Sequence, residues 1–407
     1  MSTAPATDPA RPQAPPSPPD ARFPELQGQR GLAALGIVVF HTYQYDRTGP
    51  DSRSPLEGTW AHPLVFGLDG MVDWFFVLSA FLLTLPYARA LRDGRPLTSA
   101  RSFLGRRAVR VVPLYFVAVL VVWVSRNPTL PGEWRDLLEH LTFTQVYDST
   151  RIFWTIGPAW SLAVEVQFYV LVALLGAVLS RTAARAATPV LRLRPLVVAI
   201  AVLAAASAVW WLVLGVAQDR LVTDYPIWFG LPAKLAVFAT GMAAAVLVVV
   251  VPRTLGRAAT WALRGAGLGA YVLTATLLAE RHSGSRDWAF HVLCGLAFTT
   301  VVLAGALGRP TGPWHRTSAG GALPWLGLVS YSLYLWHEPL LLHLAGNGLL
   351  PTPAPGAFLP TVAIVAPLAV LVAWASYWLV EYPTSHLRVF LSAVPSRELS
   401  LERRRAL

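Results

Sequence analysis

Apolar residues in this chain come in long runs separated by short polar gaps, as in a chain that crosses a bilayer repeatedly. A spanning helix needs about 20 largely apolar residues. Ten windows meet or approach that demand: 31–46, 66–88, 111–125, 156–180, 196–217, 227–251, 265–280, 288–308, 324–345 and 360–381. The first and third are short, so their helices are expected to extend into neighbouring polar residues. The gaps carry turn residues such as Pro96, the Asn127-Pro128 pair, Pro189, Pro252, the Gly320-Gly321 pair and the proline-rich stretch 351–355. The pattern predicts an all-α, polytopic integral membrane protein of about ten transmembrane helices. The longest gap, 126–155, holds one amphipathic segment, Trp134 to Leu141. No clear internal repeat is visible, which weakens a transporter built from inverted halves.

Composition agrees. Of 407 residues, 55% are hydrophobic and 14% charged, against roughly 25% charged in ordinary soluble domains, and the mean hydropathy is +0.50. The net charge of +11 in a soluble protein would suggest nucleic acid; here arginines facing an anionic leaflet account for it, and no nucleic-acid partner is expected. The gaps after the even-numbered windows and the two terminal segments hold 24 basic residues, the gaps after the odd-numbered windows only 8, and Lys234 lies inside the sixth window. The positive-inside rule then puts both termini in the cytoplasm of a multi-pass plasma-membrane protein. Residues 1–22 lack the apolar core of a secretory signal and are expected to be a disordered tail. Residues 23–390 form the membrane domain and 391–407 a cytoplasmic C-terminal tail. The single cysteine, Cys294, excludes a disulfide framework or a cysteine metal cluster.

Charge inside a span costs several kcal/mol unless it is paired or wet, so each such residue is a functional candidate. His41 lies eleven residues after Arg30, roughly 16 Å along a helix. Asp73 lies sixteen residues before Arg89, and Glu165 sixteen before Arg181. His337 lies thirteen residues into its window. These four groups fall at compatible depths. Each alone could be an interhelical hydrogen bond supporting the bundle; together they suit proton transfer, because a neutral histidine beside a carboxylate can take a proton from a hydroxyl. Arg106, Arg107 and Arg110 stand at the mouth of the third window, and Arg107 and Arg110 share a helical face. Two guanidiniums so placed can hold a phosphorylated group; they also fit ordinary positive-inside anchors. Pro113 suggests a kink. Lys234 reads as a snorkelling or paired residue, and Trp60, Trp154 and Trp325 as interfacial anchors. There is no nucleophile elbow, metal-ligand spacing or glycine-rich phosphate loop.

Five stretches, 30-RGLAALGIVVFH-41, 72-VDWFFVLSAFLL-83, 106-RRAVR-110 with Pro113, 160-WSLAVEVQFY-169 and 327-GLVSYSLYLWHEPL-340, with a weaker sixth, 380-VEYP-383, resemble in order and spacing the acyltransferase family 3 membrane O-acyltransferases. That family includes bacterial O-acetylases of lipopolysaccharide and other envelope glycans. The resemblance spans residues 23–390. It implies transfer of an acyl group, acetyl above all, from cytoplasmic acyl-CoA as co-substrate, with no bound cofactor and no metal. The acceptor it implies is a hydroxyl of a carbohydrate, glycolipid or small molecule such as a secreted macrolide. It makes His41 the catalytic base, oriented by Asp73 or Glu165, and gives donor binding to Arg107 and Arg110, with Arg106 beside them. Arg30, Ser79, Trp160, Tyr169, Tyr334 and His337 occupy motif positions without assigned roles. One departure is Ala80, where the family usually has glycine. Another is that no esterase-like domain follows the helices. A secondary transporter or exporter, which buried charges would also suit, is the competing class. No residue speaks to oligomeric state.

Overall fold

The computed structural model describes residues 23–183, 188–251, 254–278, 283–309, 313–354 and 356–392. The expected tails at 1–22 and from 393 onward lie outside them. Among the described residues every regular element is helical, with three isolated β-bridges in loops. Ten longer helices carry the chain: α1 Pro24–Tyr45, α2 Met71–Asp93, α3 Ala100–Arg126, α4 Ala159–Ala183, α5 Arg194–Trp210, α6 Leu231–Val250, α7 Arg257–Leu277, α8 Gly284–Leu307, α9 Ser330–Gly346 and α10 Phe358–Ser376.

Each apolar window coincides with one of these helices, and seven described helical stretches are long and apolar enough to cross a membrane. The other three windows fall short for visible reasons. Helix α1 is 22 residues long but carries Gln27, Gln29, Arg30, His41 and Gln44. Helix α7 carries Arg257 and Arg264. The ninth window is divided at Val329 into Ala322–Leu328 and α9, which has 17 residues.

The short windows lengthen as expected. Pro24, whose fixed φ suits a first helical turn, starts α1 seven residues before its window. Ser99 caps α3, its Oγ accepting from the Ser102 N–H at 3.3 Å. This start places Arg106, Arg107 and Arg110 within the helix, which continues through Pro113. Tyr331 of α9 donates to the Val111 carbonyl at 2.7 Å, fastening α9 to α3 one residue beyond Arg110.

Helix α2 is the centre of the bundle, with 72% of its apolar window buried, against 17% for the window containing α5. It packs against α1, α4, α6 and α8. Trp74 of α2 stacks on Phe298 of α8 with centroids 4.6 Å apart, and Phe168 of α4 stacks on Phe238 of α6 at 4.0 Å. Helices α2 and α6 approach so closely that a Cβ on Gly241 would strike the Val77 carbonyl and lie 3.0 Å from the Ala80 Cβ. The small residue this contact requires therefore stands on α6, opposite the alanine that replaces the usual glycine of the second motif. At one end of the bundle, Glu25 of α1 accepts from Arg264 of α7 at 2.5 Å and from His315 at 3.0 Å, so the only acid in the first turn of α1 is paired where lipid could not solvate it.

Replacing Gly241 by alanine overpacks this interface and is expected to cost about 1–3 kcal/mol. Thermal denaturation in detergent should show a melting temperature several degrees lower; an unchanged value would mean that α2 and α6 lie farther apart.

Candidate active site

The four helices bearing the first, second, fourth and fifth motifs run beside two internal chambers. The larger, about 640 Å³, is lined by Arg30 of α1, Arg89 of α2, and Arg107 and Arg110 of α3. Its wall also holds one carboxylate, Glu165 of α4. Four guanidiniums against one acid make a chamber suited to a polyanion, since each planar fork can grip phosphate oxygens in pairs. The i, i+3 spacing on α3 brings Arg107 and Arg110 in together, as the sequence predicts. Arg106 lines neither chamber: its Nη1 donates to Ser102 Oγ at 2.5 Å, one turn back on its own helix.

Glu165 is tied within this chamber. Ser79 Oγ of α2 donates to its Oε1 at 2.5 Å, and Tyr169, one turn on along α4, lines the same chamber. Glu381, in the sixth motif, accepts from Ser332 Oγ of α9 and lies within the fields of Arg110 and Arg30. The sequence motif gave it no role. It becomes visible only when the π-helical segment Tyr377–Glu381, which continues α10, packs against α3.

The smaller chamber, about 320 Å³, is lined by His41 and Gln44 of α1, Asp69, Trp160, Phe229 and Glu338 of α9, among others. His41 Nδ1 lies 3.0 Å from His337 Nε2 and 3.1 Å from the Ile37 carbonyl, and His337 Nδ1 lies 3.1 Å from the Leu333 carbonyl. These contacts fix the tautomers of the neutral pair. A carbonyl only accepts, so the His337 proton sits on Nδ1 and its Nε2 is an acceptor. His41 must then donate from Nδ1, which leaves its Nε2 lone pair as the basic site. His337, twinned with His41 at similar depth in the sequence, is thus the group that orients it.

Neither carboxylate proposed from sequence reaches His41. Asp73 turns toward α8, where its Oδ2 is 2.8 Å from His291 Nδ1, while Asp287 Oδ2 lies 3.6 Å from His291 Nε2. Asp69, Asp287 and His291 also bring ligand-type atoms within 4.8 Å of one another. The carboxylate whose charge acts on His41 is Glu338. It was legible only as one letter in the fifth motif, next to the histidine that drew attention. Its carboxylate lies against Gly157, where a Cβ would collide with both carboxylate oxygens. Trp160 packs edge-on to Phe229 with centroids 4.4 Å apart, and Lys234 Nζ lies 5.6 and 5.4 Å from the two ring centres. Those ring faces explain how a lysine 1% exposed is tolerated there.

A family model described as an acyltransferase domain matches residues 23–378. Nodulation protein 10 of Rhizobium leguminosarum bv. viciae is 29% identical over 160 residues, covering 34% of this chain and 40% of that protein. The peptidoglycan O-acetyltransferase OatA of Listeria monocytogenes serovar 1/2a is 24% identical, covering 78% and 49%. A putative membrane-bound transacylase, BcsY, of Komagataeibacter xylinus is 26% identical, covering 89% and 83%. The chain therefore spans less than half the length of the first two. No solved structure matches it.

Gly157→Ala should push the Glu338 carboxylate aside, at a cost of about 1–3 kcal/mol for overpacking a filled site. A thermal double-mutant cycle with Glu338→Ala checks this: the two losses should be clearly less than additive, because the shortened side chain removes the collision. Full additivity would separate the two residues.

Proposed function

The chain belongs to the acyltransferase domain family, and from that premise we propose that it is a membrane O-acyltransferase that moves an acyl group, acetyl in the first instance, from cytoplasmic acyl-CoA to a hydroxyl of a cell-envelope glycan or glycolipid. The observation that carries this reading is the pairing of a four-arginine chamber with an imidazole chamber along the same helices. Ten spans with both termini cytoplasmic, in a bacterial plasma membrane, would open the arginine end to the cytoplasm.

In this mechanism Arg30, Arg89, Arg107 and Arg110 hold the donor's phosphates, and the thioester reaches along α1 toward His41. The acceptor hydroxyl gives its proton to His41 Nε2 as its oxygen attacks the thioester carbon. A C–O bond forms, the C–S bond breaks, and the departing thiolate takes the proton back from the imidazolium. His337 holds the ring through Nδ1, and the Glu338 charge favours the imidazolium as it forms. Asp69, Gln44 and Glu338, acceptors in the lining of the smaller chamber, suit a sugar, which donates from its hydroxyls. The Listeria relative, a peptidoglycan O-acetyltransferase, supports a glycan acceptor; a secreted small molecule bearing a sugar presents the same chemistry.

The test is consumption of radiolabelled acetyl-CoA by the full chain in nanodiscs. His41→Ala should lower turnover about 10²-fold or more, the scale of a lost general base. The Arg107→Ala, Arg110→Ala double variant should chiefly raise the donor KM, because it removes binding common to ground and transition states. If the wild type neither binds nor consumes acetyl-CoA or longer acyl-CoAs, the donor assignment fails and the transporter class replaces it.

A further inference from the structure

Two residues, Val72 of α2 and Tyr334 of α9, line both chambers. On every other motif helix the linings divide cleanly. Arg30 faces the larger chamber and His41 the smaller; Glu165 and Ser161 face the larger, Trp160 and Gly157 the smaller. The Tyr334 ring therefore stands at the boundary, and it is firmly held there. Its hydroxyl donates to the Pro158 carbonyl at 3.0 Å and pairs with Ser161 Oγ at 2.6 Å. Its ring meets Phe75 edge-on at 5.9 Å between centroids and lies 5.9 Å from the His337 ring. The side chain is 7% exposed.

A hydroxyl activated at His41 and a thioester anchored at the arginines can react only where these chambers meet. We propose that Tyr334 is a positioning residue that partitions the two chambers, holding the thioester on the arginine side of its ring and so keeping water activated at His41 from reaching it until the acceptor fills the smaller chamber. This rests on the acyl-CoA reading of the site. The chemistry at stake is balanced simply: water in place of the acceptor attacks the thioester, His41 carries its proton, and free carboxylic acid and thiol are released without transfer. A ring pinned by two hydrogen bonds at one edge and an aromatic contact on its side is a stiff barrier. Exclusion of water from a reactive acyl donor is a general requirement of transfer over hydrolysis. Removing the ring joins the chambers; removing only the hydroxyl leaves the ring in place but untethered from Pro158 and Ser161.

The experiment measures thiol release from acetyl-CoA by the full chain in nanodiscs without acceptor, beside CoA affinity and melting temperature. Tyr334→Ala should raise hydrolysis about tenfold or more, through loss of water exclusion, with CoA affinity within about twofold of wild type because the arginines are untouched. Tyr334→Phe should give a smaller rise. Should Tyr334→Ala fail to fold, Val72→Ala opens the same boundary from α2 and should leak in its place. Unchanged hydrolysis in folded variants that still bind CoA would overturn the partition. Increased hydrolysis only in step with a lowered melting temperature would make Tyr334 structural and equally overturn it. A wild type that binds no acyl-CoA would instead overturn the donor reading, so the two failures are distinct.

Discussion

Lipid cannot solvate a guanidinium, an imidazole or a carboxylate, and this constraint organises the bundle. Arg30, His41, Ser79, Glu165, Tyr334 and Glu338 come from four helices, and all six turn toward the interior chambers. The central position of α2 follows from it, since that helix carries polar residues on more than one face: Ser79 toward α4 and Asp73 toward α8. So does the ion pair joining Glu25 to Arg264 at 2.5 Å, which closes the polar start of α1 against α7. A helix with few such demands, α5, is left at the periphery.

Within that interior the charges are sorted. The arginines gather in one chamber and the imidazole pair in the other, with Glu338 beside it. The two histidines stand in fixed series because a backbone carbonyl ends the chain of hydrogen bonds: Leu333 accepts, His337 relays, His41 donates. The basicity of His41 is thus directed to Nε2 by groups that never touch a substrate. Gly157 contributes in the same indirect manner. Without a Cβ it leaves room for the Glu338 carboxylate to lie against its backbone.

What was legible in the sequence is what lies on a single helix. Arg107 and Arg110 enter one chamber together because i, i+3 spacing settles it, and the eleven-residue interval from Arg30 to His41 sets two depths on α1. The apolar windows anticipated where the ten long helices lie, since span length is a property of local composition. Partnerships between helices were not legible. Asp73 and His291 are 218 positions apart, so no spacing rule could prefer His291 over His41 as its partner, and a separation of 86 positions likewise hid the Ser79–Glu165 pair. Glu338 was hidden by proximity instead: beside His337 in the chain, it reads as one motif letter, although its side chain reaches across to Gly157 of another segment.

The separation of the two chambers bears on the kind of donor. Along α1 the arginine and the histidine stand roughly 16 Å apart. A compact activated acyl group such as an acyl phosphate carries its charge next to the reacting carbon, so it could satisfy the guanidiniums or the imidazole but not both. A donor that engages both ends must carry its phosphates at one end, its acyl group at the other and a long, largely uncharged arm between. That arm has to pass the aromatic and aliphatic wall of Phe75, Phe76 and Leu82 that lines the larger chamber. Acyl-CoA has this architecture. Under the proposed function, charge segregation in an apolar bundle becomes a length criterion for the donor: the distance between cation and base would select one long enough to span it.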